Sequence, residues 1–324
     1  MRLVPTRALL LVACSLGAMS ADAQKQKVVI GYLPNYNDIA SQINAIDYSK
    51  LTHIDVAFEN PTNDTGDFSF NEAETALIEK AHQNHVKVLV SIAGGGASQD
   101  KDLSARYFDL QSDAKRAAFV QKLADYVVQH NFDGLDVDLE GPGIGKDYGA
   151  FVADLSKLLH RKGKLLTAAV SQFYGGDNIP DSALKQLDFV NIMAYDFTGP
   201  WEPNKPGQHS SLDASKKTVA YWLGRGVPKS KAVLGVPFYG YGFGNASRGA
   251  NGDYSYSELV TTFPGCEKLD QVGDTIWYNG IPTIKAKTKY VRDEGLAGVM
   301  IWSIDKDAPG SKSLLTAISE ALHS

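Results

Sequence analysis

The sequence predicts a single closed barrel of eight parallel strands with helices packed outside it. Three observations predict this. Eight short runs of apolar and β-branched residues recur along the chain, amphipathic stretches separate several of them, and no linker or low-complexity tract interrupts residues 27–323. Strands buried on both faces read as continuous apolar runs, and strand–helix alternation repeated eight times is the pattern of a (β/α)8 TIM barrel. An open doubly wound sheet is the competing architecture, but its phosphate fingerprint is missing. SIAGGGAS (91–98) is glycine-rich and fits neither G-x-G-x-x-G nor the Walker pattern.

The first segment reads as targeting rather than structure. Arg2 and Arg7 give a positive start, residues 8–19 are apolar, and Ala21-Asp22-Ala23 is an A-x-A cleavage site. Residues 1–23 are therefore expected to be a signal peptide and residues 24–324 the barrel. Leu11-Val12-Ala13-Cys14 also resembles a bacterial lipoprotein signal, in which the cysteine carries the lipid. By either route the protein is expected to be secreted or periplasmic, or lipid-anchored at the cell surface.

The eight strands are expected at KVVIGYL (27–33), THIDVAF (52–58), VKVLVSI (86–92), FDGLDVDL (132–139), KLLTAAV (164–170), LDFVNIM (187–193), AVLGVPF (232–238) and LAGVMIW (296–302). Helices are expected at 71–85, 113–130, 147–163, 212–226 and 311–323. The second is the clearest, with Ala117, Val120, Leu123, Ala124 and Val127 on one face. One connection is oversized, from about 239 to 281. It is expected to be a loop with one short helix at SYSELVTTF, and a loop that long in a compact barrel is usually functional.

Composition narrows the function classes. Hydrophobic residues make up 44% of 324, enough for a sizeable core. A net charge of −5 with no dense Lys/Arg cluster argues against a nucleic-acid partner. No apolar run reaches the ~18 residues of a membrane-spanning helix. Only Cys14 and Cys266 are present, so no disulfide framework is expected, and Cys266, in FPGCEKLD, has no histidine nearby to activate it.

The chemistry is concentrated in FDGLDVDLEGP (132–142). Side chains alternate faces along a strand, so Asp136, Asp138 and Glu140 share one face and Leu135, Val137 and Leu139 the other. The acids then point into the barrel, with Glu140 at the rim where βα loops begin and barrel active sites lie. Consecutive acids stand about 6.6–7 Å apart along the strand. At that spacing in a low dielectric they titrate as a coupled set with raised pKa values. Three readings remain open on the residues alone. A solvated strand end accounts for Asp133 but poorly for three inward carboxylates. A Mg2+ or Ca2+ site would draw on Asp196 as a further ligand. Acid catalysis by a carboxyl held protonated near neutral pH is what glycoside cleavage requires.

FDGLDVDLE matches D-G-x-D-x-D-x-E, and the chain resembles the chitinase-like family 18 glycoside hydrolases over nearly the whole of the expected mature chain. IGYLPNY (30–36), VAF (56–58), MAYDF (193–197), VPFYGYGF (236–243) and GVMIWSIDKD (298–307) are similar to that family's strand ends. VLVSIAGG (88–95) departs from its S-x-G-G, because Ala93 stands where the first glycine is usual. The resemblance implies Glu140 as general acid and no protein nucleophile, the substrate's N-acetyl carbonyl attacking instead. It implies that Asp138 orients the acetamide, that Asp136 shares a proton with Asp138, and that Tyr195 hydrogen-bonds the acetamide. Trp302 would floor the cleft. Tyr32, Phe58, Met193, Asp196, Trp201 and Tyr239 complete the expected substrate-binding set.

The expected substrate is chitin or chito-oligosaccharides, with the chitobiose core of N-glycans as the alternative and a non-catalytic lectin as the reading from another class. No cofactor or metal is implied, and a monomer is expected. The family's larger α+β insertion after strand seven is longer than the connection here, which leads to the expectation of a shallow, open cleft. No separate binding module is visible.

Overall fold

The computed structural model describes residues 27–250, 252–273 and 275–324. The expected signal peptide and Cys14 lie outside them. Twelve strands are present among the described residues: β1 (Val28–Pro34), β2 (His53–Glu59), β3 (Lys87–Ala93), β4 (Gly134–Asp138), β5 (Leu165–Val170), β6 (Phe189–Ile192), β7 (Ala232–Pro237), β8 (Tyr239–Gly242), β9 (Tyr254–Ser255), β10 (Gln271–Val272), β11 (Ile276–Trp277) and β12 (Gly298–Trp302). Eight of them close a parallel barrel in the order β1-β12-β7-β6-β5-β4-β3-β2. The eight runs found in the sequence are these eight strands, each within two residues at either end. The doubly wound alternative is overturned by closure, since β1 pairs with both β2 and β12.

Period-2 alternation divides the barrel into two packing zones. Ile54 and Val56, Val88, Val90 and Ile92, Leu135, Val137 and Leu139, and Val299 and Ile301 all join the large core between strands and helices. Their alternates Tyr32, Ala57, Val233 and Met300 face the barrel interior, where Phe58, Met193, Tyr195 and Trp302 pack on them. Helices Ala73–Gln83, Arg116–Gln129, Tyr148–Arg161, Leu212–Gly224 and Leu314–His323 lie where amphipathic periodicity places them. The sequence reading missed Lys101–Gln111, which Asp100 caps by accepting from the Asp102 and Leu103 amides, and Ile281–Asp293.

The 239–281 connection is more ordered than expected. It forms a second, four-stranded sheet in the order β10-β11-β8-β9, with helix Tyr256–Thr262 beside it. Short, tyrosine- and glycine-rich segments carry little periodicity, and two-residue strands gain their partners only from tertiary pairing. Cys266 is buried here, and its carbonyl accepts from Tyr278 Oη.

Candidate active site

β4 delivers the acids as its alternation requires. Asp136 is fully buried, Asp138 is 4% exposed, and Glu140 follows the strand end, partly open to solvent. Asp133 stands apart at the opposite mouth, accepting from the Val88 amide and bonded to His82 Nε2, each at 2.8 Å.

Four donors converge on Asp136. Tyr32 Oη (2.8 Å) and Ser91 Oγ (2.7 Å) donate to Oδ2; Thr167 Oγ1 (2.6 Å) and Asn191 Nδ2 (3.3 Å) donate to Oδ1. They come from β1, β3, β5 and β6, so closure itself builds this cradle. Burial raises the Asp136 pKa and the hydrogen bonds oppose the rise. Asp138 has no such support: its Oδ1 is buried with no partner among the described residues. Burial first, then the charges of Glu140, Asp136 and Asp55, hold its carboxyl far above the ordinary range. Of the two, Asp136 is therefore the better seat for negative charge and Asp138 for the proton.

Glu140 is pushed up to about 7, by burial first and then by the charge of Asp196. Its surroundings are backbone-lined. A Cβ at Gly95 would lie 3.1 Å from Glu140 Oε1, so a side chain there would crowd the carboxyl. Gly141 has φ +50, its N–H donates to the Tyr174 carbonyl, and the Tyr174 ring lies where its Cβ would be. Only glycine accepts both demands.

Tyr195 and Met193 follow β6, and both are partly open. The Tyr195 phenol is held protonated by burial and the surrounding acids, and its only hydroxyl contact among the described residues is a weak one to Met300 Sδ at 3.7 Å. It remains free to donate to a ligand. Trp302 stacks on Phe58 at 5.5 Å, and Tyr32 meets its edge at 5.7 Å. Trp201 is 44% exposed and edge-on to Tyr241. Asp196 is exposed, with φ +61, and accepts from Tyr239 Oη at 2.5 Å.

Two expected cleft residues need correction. Tyr32 is 1% and Tyr239 2% exposed. Tyr32 lies under Trp302 with its hydroxyl spent on Asp136, and Tyr239 lies behind Asp196, so neither ring has a face left for a ligand. An exit position on a strand does not reveal whether a second layer of side chains covers it. The Ala93 departure also has a physical outcome: Ala93 sits at φ +79, a region that favours glycine, held by a hydrogen bond from its N–H to Asn60 Oδ1.

The sequence reading missed Asp55, Ser91, Thr167, Asn191 and His209. Asp55 is 1% exposed and inward on β2, and neither carboxyl oxygen has a partner among the described residues. Burial, then Asp136, holds it strongly protonated. An acid at the inward phase of THIDVAF was the signal available. The hydroxyls and the amide carry no such signal, because polar residues at inward positions are common.

Comparison with known proteins agrees with this fold. The chain is 36% identical, with a TM-score of 0.85, to the crystal structure of the GH18 chitinase ChiB from the chitin utilization locus of Flavobacterium johnsoniae, covering 92% of this chain and 94% of that one. It is 28% identical over 342 residues to the class V chitinase CHIT5 of Lotus japonicus, covering 87% of this chain and 83% of the relative. A mutant class V chitinase from Nicotiana tobaccum, in complex with NAG4, is 25% identical with a TM-score of 0.78, over 92% and 99% of the two chains. Glycosyl hydrolases family 18 matches residues 28–307, from the first barrel strand to just beyond the last, and the chain belongs to that family of glycosidases.

Proposed function

We propose that the protein is a chitinase: it hydrolyses β-1,4 linkages of N-acetylglucosamine polymers, with Glu140 as the general acid. The observation that carries this is the Glu140 carboxyl at the open rim, held protonated to about 7, above a barrel that keeps Asp138 and Asp136 as a coupled pair. The names of the relatives and the NAG4 complex support chitin-type substrates over the N-glycan core.

In this reading a sugar rests on Trp302. Tyr195 Oη donates to the acetamide carbonyl and Asp138 receives the acetamide N–H. Glu140 gives its proton to the glycosidic oxygen as the C1–O bond breaks, and the acetamide oxygen bonds to C1, forming an oxazolinium ion. The Asp138 proton passes toward Asp136, whose four donors stabilise the cradle, and the charge left on Asp138 balances the cation. Glu140, now a carboxylate, takes a proton from the water that attacks C1 as the bond between C1 and the acetamide oxygen breaks; the acetamide is restored with net retention, and the proton returns from Asp136 to Asp138. Orientation of the acetamide replaces a protein nucleophile. Secretion after removal of residues 1–23 belongs to the same proposal.

Product analysis on chito-oligosaccharides beside a high-mannose glycopeptide tests the substrate; cleavage of the glycopeptide alone would overturn the chitin assignment. Glu140→Gln tests the acid. Turnover is expected to fall at least ~10^3-fold, from loss of proton donation compounded by loss of the later base, while oligosaccharide binding persists. Unchanged turnover refutes the role.

A further inference from the structure

His209 lies between β6 and helix Leu212–Gly224, is fully buried, and presents both ring nitrogens to acceptors. Nδ1 is 3.3 Å from Asp196 Oδ1, and Nε2 is 3.3 Å from the Tyr239 carbonyl oxygen. A neutral imidazole carries one N–H and can serve only one of them, turning a lone pair on the other. The carbonyl cannot donate. Asp196 keeps 41% of its side chain in solvent and already accepts the Tyr239 hydroxyl, so it is placed as a carboxylate. The arrangement is fully satisfied when the ring carries both protons.

The surroundings hold the ring still. Tyr239 and Tyr241 pack on it at 5.2 and 5.0 Å. The next residue, Ser210, donates to the Ala194 carbonyl, and buried Lys287 Nζ donates to Ser210 Oγ (2.6 Å), to its carbonyl (2.7 Å) and to Asn279 Oδ1 (2.7 Å). Among the described residues, the ionisable groups facing His209 are therefore Asp196, Tyr239 and Tyr241, with Lys287 beyond Ser210 and Lys306 over the Tyr239 ring. Asp196 is the one full negative charge among them.

We propose that His209 is a positioning residue of this active site: as an imidazolium clamped between Asp196 and the Tyr239 carbonyl, it holds Asp196 aimed, and it moderates the charge that Asp196 directs at Glu140. The proposal rests on Glu140 as general acid. A negative neighbour raises a carboxyl's pKa and a cation offsets that. Loss of the imidazolium leaves Asp196 uncompensated, so Glu140 keeps its proton to higher pH. Loss of Asp196 does the reverse.

The test is the pH dependence of kcat/KM on a soluble chito-oligosaccharide for wild type, His209→Gln, His209→Phe and Asp196→Asn. Both His209 variants are expected to move the alkaline limb up by roughly half a unit or more and Asp196→Asn to move it down. A folded His209 variant with the wild-type limb, whatever its kcat, overturns the proposal. Where neither variant folds, 15N spectra of histidine-labelled wild-type and Asp196→Asn protein at pH 7 decide. Free imidazole is mostly neutral there; a doubly protonated ring that becomes neutral in Asp196→Asn is expected, and its absence overturns the proposal. The 15N readout does not involve catalysis, so it stands apart from the Glu140→Gln result, which tests the function itself.

Discussion

Glu140 and its neighbours set the pH behaviour. A general acid works while protonated, so activity is expected at and below neutrality and lost as pH rises through about 7, the value to which burial and Asp196 bring Glu140. An alkaline limb of kcat/KM near 4.5, the ordinary glutamate value, would show that the free enzyme does not perturb this carboxyl. Trp201 is 44% exposed, and its proposed role is to stack on a sugar without taking part in the chemistry. Trp201→Ala is expected to raise KM roughly threefold to tenfold with little change in kcat, the pattern of lost uniform binding. A fall in kcat at constant KM would instead place Trp201 in the transition state. The phase of FDGLDVDLE made the β4 acids legible, because one residue of slip would put them into the apolar layer. His209 was not legible, since a histidine in a loop has no phase and its partners are 13 and 30 residues away.

β2 shows how an element bears strain for the site. Glu59 at its end and Glu74 in helix Ala73–Gln83 are both buried, and Asn35 Nδ2 donates to each, at 2.7 and 3.2 Å. Burial and then Glu74 push Glu59 up to about 8, and Glu74 is raised as well. A carboxyl whose pKa is higher folded than unfolded is harmless below the unfolded value. It costs stability as pH rises toward the folded one. The window here runs from about 4.5 to about 8. Glu59→Gln keeps the Asn35 bond and stays neutral, so its melting temperature is expected to exceed wild type at about pH 8.5 and to match it at about pH 4.5. Equal melting temperatures at both pH values would mean that the pair is not strained. Asn35 Oδ1 also accepts the Phe58 amide, so this pair supports the strand end on which Phe58 meets Trp302. The sequence reading treated β2 as apolar and overlooked both Asp55 and Glu59; their meaning depends on what faces them across the barrel and under the helix.

At the scale of the molecule, closure is the decisive event. The seam joins β1 to β12, the first strand to the last, through Val28↔Gly298 to Gly31↔Ile301. A Cβ on Gly298 would stand 1.9 Å from the Val28 carbonyl oxygen, against backbone rather than a yielding side chain. Gly298→Val is therefore expected to destabilise the whole barrel by at least the ~1–3 kcal/mol typical of overpacking, lowering the melting temperature by several degrees or abolishing soluble expression. A wild-type melting curve would show that the seam can open locally to admit a side chain. The Asp136 cradle would suffer with it, since its donors stand on four different strands.

The sequence by itself determined the barrel, the phase of each strand and the inward acids of β4, because these follow from local periodicity: an apolar run selects a strand, and alternation selects a face. Only the tertiary structure decided which residues meet. It brought Tyr32, Ser91, Thr167 and Asn191 around Asp136, left Asp55 without a partner among the described residues, covered Tyr32 and Tyr239, and set His209 between two acceptors. The physical reason is that pKa values, hydrogen-bond satisfaction and access to substrate depend on neighbours contributed by distant strands. A one-dimensional pattern records the direction of a side chain but not what stands opposite it.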